Sequence, residues 1–250
     1  MDSVPGAAST AVRPLLVGTP PPGRVVGVHP TCVYVETGAE MVALETADGL
    51  GLPCAVRLGA DRAAAPFRGV RPGDVAVVGQ GRVRVGRLVV PVVRWWAPRR
   101  PRPGHAYGRI EGLARLLADR PCPVHASLPV AELIGRGPGL TPAGDDVVAG
   151  LLIGLHHHPD LRDPVTAEVL SLAGGTSALA GALLRSAAAG QHIPAVIDVA
   201  DGLAGHRTDE GFETALRRLL AVGHSSGTAL AHGLLRGARS VARRHRVAAA

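Results

Sequence analysis

The apolar pattern of this chain changes character once, near residues 97–104, and that change limits the fold more than any other feature. Before it, apolar residues come in short valine-rich runs bounded by Gly, Pro and Asp, as in VVGVHPTCVYVET, DVAVVG and RLVVPVVRWW. Such runs read as strands. Arg71-Pro72-Gly73-Asp74 reads as a turn, Gly79-Gln80-Gly81 as a hairpin loop and Gly86-Arg87 as a second tight connection. His29 and Glu36, isolated polar residues on these strands, belong to a solvated face. After the change, from Tyr107 onward, the spacing is helical, with Ile110, Leu113, Ala114, Leu116 and Leu117 on one face. The pattern predicts an α+β chain: residues 1–100 as a small all-β barrel or sandwich with a flexible lead-in around the proline run at 19–23, then residues 101–250 as a mainly α-helical domain. APRRPRPG at 97–104 reads as the linker, and Trp95 and Trp96 as rings that cap the barrel or fill the seam beside it.

Composition narrows the class. With 46% hydrophobic residues over 250 positions, the chain can build a real core. All 27 basic residues are arginine, against 20 acidic ones, which reads as codon bias rather than as a nucleic-acid footprint. Aromatics are only 2%, too few to stack bases, and the arginines are scattered, so no nucleic-acid partner is expected. No apolar run approaches the ~20 residues of a membrane span, and no secretory leader pattern opens the chain. Cys32, Cys54 and Cys122 are far apart and fit neither a disulfide framework nor a zinc site. These features lead us to expect a cytoplasmic protein without a membrane partner.

The stretch that asks for more than folding is GRGPGLTPAGDDVVAGLLIGL, residues 135–155. Its glycines allow a backbone to approach a ligand closely, and Thr141-Pro142 is a good helix start, with threonine as cap and proline in the first turn. The helix that follows is apolar almost all round, which predicts burial, yet it carries Asp145 and Asp146. Asp146, Gly150 and Gly154 share one stripe at i, i+4 and i+8. Two glycines inside a helix cost about 1 kcal/mol each relative to alanine, so close packing or a ligand must offset them. A carboxylate on such a face needs a partner or a cation.

Two further starts repeat this logic. Gly174-Gly175-Thr176-Ser177 precedes a helix at 178–189, and Gly223-His224-Ser225-Ser226-Gly227 precedes one at 228–244, which has its own small-residue stripe of Ala229, Gly233 and Gly237. Three glycine- and hydroxyl-rich starts, one joined to paired aspartates, predict helix N-termini converging on a small anion. The candidate ligand-binding residues are Gly137, Gly139, Thr141, Gly144, Thr176, Ser177, Ser225, Ser226 and Gly227. Asp145 and Asp146 are the candidate catalytic residues and the candidate Mg²⁺ ligands. Arg136 stands beside the loop as a charge for the anion, and His224 as an acid or base. His156-His157-His158 point in different directions and read as a helix end.

The motifs GRGPGLTPAGDDVVAGLL and GHSSGTALAHGLL together resemble a bacterial family associated with the AllH subunit of oxamate carbamoyltransferase, with a resemblance that extends to the FRGVRPGDVAVV turn. The resemblance implies carbamoyl transfer between carbamoyl phosphate or phosphate and oxamate or oxalurate, in purine or allantoin breakdown, within a multi-subunit enzyme. It matches Gly137, Gly139, Thr141, Pro142, Gly144, Asp145 and Asp146, then Ser225, Ser226 and Gly227, with Thr176 and Ser177 as a third position. Ala143 and Ala180 stand where the family leads us to expect serine. Two other functions fit the residues: a non-catalytic subunit that binds a small acid or supports its partners, and a Mg-dependent phosphoryl-transfer enzyme. The chain has no GxxxxGK[ST] pattern and no lysine, which counts against a P-loop but not against other phosphate binders.

Overall fold

The computed structural model describes residues 2–19, 22–38, 40–104 and 108–248, which form two compact units, residues 1–98 and 99–250. The first unit contains β1 (Asp2–Ser3), β2 (Gly6–Ser9), α1 (Arg13–Val17), β3 (Gly23–His29), β4 (Cys32–Thr37), β5 (Glu40–Glu45), β6 (Ala55–Leu58), β7 (Val75–Gly79), β8 (Arg82–Val85) and β9 (Leu88–Trp96). Eight strands close into a barrel in the order β9-β2-β6-β5-β4-β3-β7-β8, with β8 returning to β9, and β1 is added beside β9. The nine-residue β9 makes the closure, because Leu88–Pro91 pair with β8 while Val92–Trp96 pair with β2.

Side-chain alternation explains why these strands curl around a core. In β8, Val83 and Val85 are fully buried while Arg82 and Arg84 face out. In β7, Ala76 and Val78 point in while Val75 and Val77 remain exposed. Period two puts one face in the interior. The hairpin at 79–81 holds Gln80 at φ 53°, a left-handed position seldom taken by a non-glycine residue. Trp96 donates its indole N–H to the Ala7 carbonyl at 3.1 Å, and Arg13 lies over the Trp95 ring at 5.3 Å, so both rings serve the first unit's own packing.

The barrel-or-sandwich expectation is corrected by this topology. One sheet closes on itself, so there are no two stacked sheets, and closure depends on a strand that precedes the proline run. The short GAAS strand β2 has no β-branched residue, yet it bridges β6 and β9, whose edges would otherwise stay open. Pairings β2·β9 and β5·β6 are parallel, which valine-rich runs alone do not announce. Of the proline run, Pro20 and Pro21 lie outside the described residues.

The second unit is helical: α2 (Ile110–Ala118), α3 (Val130–Leu133), α4 (Ala143–Gly154), α5 (Pro159–Leu172), α6 (Ala178–Ala188), α7 (Pro194–Leu203), α8 (Asp209–Leu220) and α9 (Ser226–Ala248). Tyr107, where helical spacing was expected to begin, lies outside the described residues. Every α4 residue from Ala143 to Ile153 is buried, as its nearly uniform apolar sequence predicts. Residues 99–104, read as linker, are fastened to α7. Arg99 pairs with Asp198 at 2.7 Å, and Arg102 bonds Asp201 through its backbone N–H at 2.8 Å and its Nε at 3.1 Å. Arg207 also pairs with Asp198. Among the described residues, no helix is long and apolar enough to cross a membrane.

Candidate functional site

The site begins with the way α4 meets α9. A Cβ on Gly150 would collide with the Leu230 carbonyl and crowd Gly233, and one on Gly154 would meet Gly237. Four residues forward on one helix is four forward on the other, so the helices run parallel with their glycine stripes facing. The converse holds from α9: a Cβ on Gly233 would strike the Val147 carbonyl, and one on Gly237 would lie 3.0 Å from Gly154 Cα. Parallel packing brings both N-termini to one end. Their positive helix ends therefore add rather than cancel.

The start of α6 joins them. Thr176 Oγ1 donates to Asp145 Oδ2 at 2.6 Å, Ser177 Oγ donates to the Leu140 carbonyl, and the same Ser177 oxygen caps α6 by accepting from Ala180 N–H at 3.0 Å. Thr141 Oγ1 and Ser226 Oγ are hydrogen-bonded at 3.3 Å, tying the α4 and α9 starts together. Gly135, at φ 72°, passes so close to Gly175 that a Cβ would lie 2.9 Å from its carbonyl. Residues far apart in sequence thus meet at one junction.

The two aspartates are adjacent in sequence but differ in situation. Asp145 has both oxygens engaged, Oδ1 accepting from Gly135 N–H at 3.0 Å and Oδ2 from Thr176. Burial pushes its carboxyl above the usual range, against the pull of those two bonds. Asp145 is therefore a clamp between the loop and the α6 start. Asp146 is 6% exposed, and its Oδ2 is buried without a hydrogen-bond partner. Burial pushes its carboxyl up to about 8; a Ser226 hydrogen bond pulls the other way, and the neighbouring Asp145 charge adds to the rise. At neutral pH Asp146 is mostly a neutral acid able to donate one hydrogen bond.

Other expected roles shift. Helix α4 starts at Ala143 with Pro142 in the cap position, and Thr141 makes no cap bond because its hydroxyl faces Ser226. Helix α9 starts at Ser226, so Ser226 and Gly227 lie inside it. The Gly144 N–H is taken by the Arg136 carbonyl at 2.9 Å and the Gly227 N–H by the Val222 carbonyl at 3.0 Å. Gly144 and Gly227 also press against the Leu133 and Leu219 carbonyls, where no side chain fits. Close packing accounts for both glycines. Ser225 is half-buried in the turn before α9, while Gly137 and Gly139 have positive φ on the exposed rim with Arg136, and His224 is exposed. A cation would find one free carboxylate oxygen here, and Mg²⁺ would take its other positions from water or ligand oxygens. Among the described residues, no group of three or more His, Cys, Asp or Glu is placed to hold a metal ion.

Of the histidine run, His157 Nε2 meets the Pro101 carbonyl at 2.8 Å, and His156 Nδ1 is buried and unpartnered. Sequence reasoning passed over Cys122, whose thiol lies within the electrostatic reach of Asp146. No spacing rule links these residues, because α9 and the connection before α3 bring them together.

A family model described as oxamate carbamoyltransferase subunit AllH matches residues 133–238, a span that contains all three helix starts. No curated protein and no solved structure matches the chain.

Proposed function

We propose that this chain, whose residues 133–238 match the AllH family model, is the small-acid-binding subunit of an oxamate carbamoyltransferase-like enzyme in the cytoplasm. The observation that carries the reading is Asp146 Oδ2, buried and unpartnered where three helix starts converge. A buried polar atom without a partner is costly and is seldom kept without use. The positive helix ends suit the carboxylate of oxamate or oxalurate, or the phosphate of carbamoyl phosphate. The Ser225 hydroxyl supplies a donor, and Arg136 adds a charge at the rim.

The transfer we assign is attack of a phosphate oxygen on the terminal carbamoyl carbon of oxalurate. A C–O bond forms, the C–N bond breaks, and oxamate leaves as its nitrogen takes a proton. A neutral carboxyl near pH 7 suits that delivery, and Asp146 would regain the proton in the reverse direction. Partner subunits, implied by the family description, complete the enzyme.

A second reading, a non-catalytic small-anion-binding subunit, is favoured by the Gly144 and Gly227 N–H groups already bonded to carbonyls. Thermal melting of the full chain with carbamoyl phosphate, oxalurate, oxamate and phosphate, each with and without Mg²⁺, is the first test. Stabilisation by oxalurate or carbamoyl phosphate that disappears in Asp146→Asn supports the site. Turnover by the assembled complex then separates the readings: the transferase loses activity in Asp146→Asn with assembly intact, whereas the binding subunit does not.

A further inference from the structure

Strands β7, β8 and β9 are neighbours in the barrel, and their outward side chains make one face of the first unit. Val77 lies opposite Arg84 and Arg84 opposite Val89, while Arg82 lies opposite Pro91. Val75 continues this face along β7 and Val93 along β9. Val75 and Val93 are each 69% exposed and Val77 is 39% exposed. The other large apolar side chains left exposed among the described residues, Val17, Leu50, Leu116, Leu170 and Val247, stand on five different segments. Scattered apolar residues on a surface are ordinary, whereas neighbouring ones mark a contact surface. Strand β9 also gains a residue where it passes from β8 to β2, since Gly6 pairs with Val92 and Ala7 with Arg94. This bulge leaves Val93 and Arg94 exposed side by side.

The charge on the face has one sign. Residues 75–96 contain Arg82, Arg84, Arg87 and Arg94 and no Asp or Glu. All four arginines are exposed, and among the described residues none of them pairs with a carboxylate. The nearest preceding acid, Asp74, accepts from the Arg71 N–H at 2.8 Å.

We infer that this face is the docking surface for a partner protein of opposite chemistry, one that presents Asp or Glu with apolar side chains between them. The partner is another subunit of the enzyme; its identity rests on the function proposed above, and the chemistry of the face does not. A second copy of this chain is the wrong occupant. A two-fold pair would set the patch against itself, arginine against arginine, and a chain with 27 basic and 20 acidic residues repels its own copy. A nucleic acid would use the arginines and leave the valines against phosphate. An acidic and apolar protein surface uses both: each guanidinium gains a carboxylate, and the valines leave water.

The test is co-expression of the full chain with the remaining subunits of the oxamate carbamoyltransferase, followed by size-exclusion chromatography and titration of the purified partners. Arg82→Glu/Arg84→Glu is compared with wild type and with Arg217→Glu/Arg218→Glu, an equal change of charge at two exposed arginines of α8. The face variant is expected to bind at least about 10-fold more weakly and to leave the assembled fraction, while the α8 variant co-elutes as wild type does. Wild-type affinity is expected to fall as salt rises. If the reversed charges lower the melting temperature, Arg82→Gln/Arg84→Gln and Val93→Ser make the same comparison, each with a several-fold loss. Equal binding by wild type and a folded face variant overturns the docking surface and leaves the subunit reading standing. Equal losses in the face and α8 variants also overturn it, because the effect then has no place on the molecule. Failure of the wild type itself to co-elute overturns both the docking surface and the subunit reading. Sedimentation velocity of the chain alone and titration with a fluorescent single-stranded RNA read the other occupants. A dimer or an RNA complex that the face variant abolishes overturns the proposal.

Discussion

The residue that costs this fold most visibly is Asp146. Its carboxyl rises from 3.8 in the ordinary state to about 8 when folded, through burial. The folded protein therefore holds this proton more tightly than the unfolded chain does. The stabilising effect of that proton is complete below pH ~4 and is lost as pH rises through about 8. Each unit of separation is worth about 1.4 kcal/mol, so even a discounted shift leaves a penalty of a few kcal/mol at pH 8. Asp146→Asn keeps the shape without the charge. It is expected to gain melting temperature over wild type at pH 8, to gain much less at pH 5, and to lose the response to ligand. Thermal melts at the two pH values check this. Thr176→Val acts in the opposite direction, because it strips Asp145 Oδ2 of its donor inside the protein. Denaturant unfolding is expected to show a loss of about 1–3 kcal/mol. The motif GDD marks both aspartates as candidates but cannot divide their roles. Adjacent helical residues point about 100° apart, and only the placement of Gly135 and Thr176 shows which aspartate is clamped and which keeps a free oxygen.

At the scale of elements, the glycine stripes were legible and their consequence was only half so. Asp146, Gly150 and Gly154, and Ala229, Gly233 and Gly237, each name a helix face that some backbone approaches closely. A stripe names a face and not its partner. That the two stripes meet each other, in parallel, follows only from the structure. The contact makes a sharp contrast testable. Alanine at Gly150 or Gly233 would drive a methyl group into the Leu230 or Val147 carbonyl, and each is expected to cost about 3 kcal/mol or more by prying the helices apart. Alanine at Gly112, inside α2 with nothing near its Cβ, is expected to stabilise by about 0.5–1 kcal/mol through helix propensity. Equal effects at the three positions, read by urea unfolding, would remove the parallel-stripe account. Helix starts were less legible than helix faces. Thr141-Pro142 has the composition of a capped start, but Thr141 finds a better partner in Ser226, so α4 begins without a side-chain cap. The barrel shows the same limit. Valine-rich runs announce strands, whereas GAAS in β2 becomes a strand only because β6 and β9 need a partner between them.

Across the whole molecule, every group assigned to the site lies between residues 122 and 227, inside the second unit. Where that unit begins is set by charge rather than by composition. The Pro- and Arg-rich stretch at 97–104 has the composition of a linker, yet Arg99 and Arg102 satisfy Asp198 and Asp201, which are 8% and 1% exposed on α7. Among the described residues, removing the arginines leaves Asp201 without its ion-pair partners and Asp198 with Arg207 alone. Buried carboxylates that lose their partners destabilise a fold by several kcal/mol, although the half-exposed arginines here moderate the loss. A fragment of residues 97–250 is therefore expected to unfold cooperatively and to keep the ligand-induced rise in melting temperature. A fragment of residues 108–250, which has the same site residues, is expected to melt well below it. Adding Asp198→Asn and Asp201→Asn to the shorter fragment should recover part of the difference, because neutral amides cost less to leave unpaired than carboxylates do. If both fragments melt alike, the segment is a linker after all and the buried aspartates draw their stability from elsewhere in α7. If only the shorter one fails and the substitutions restore it, the first residues of the second unit are the arginines that its own helix requires.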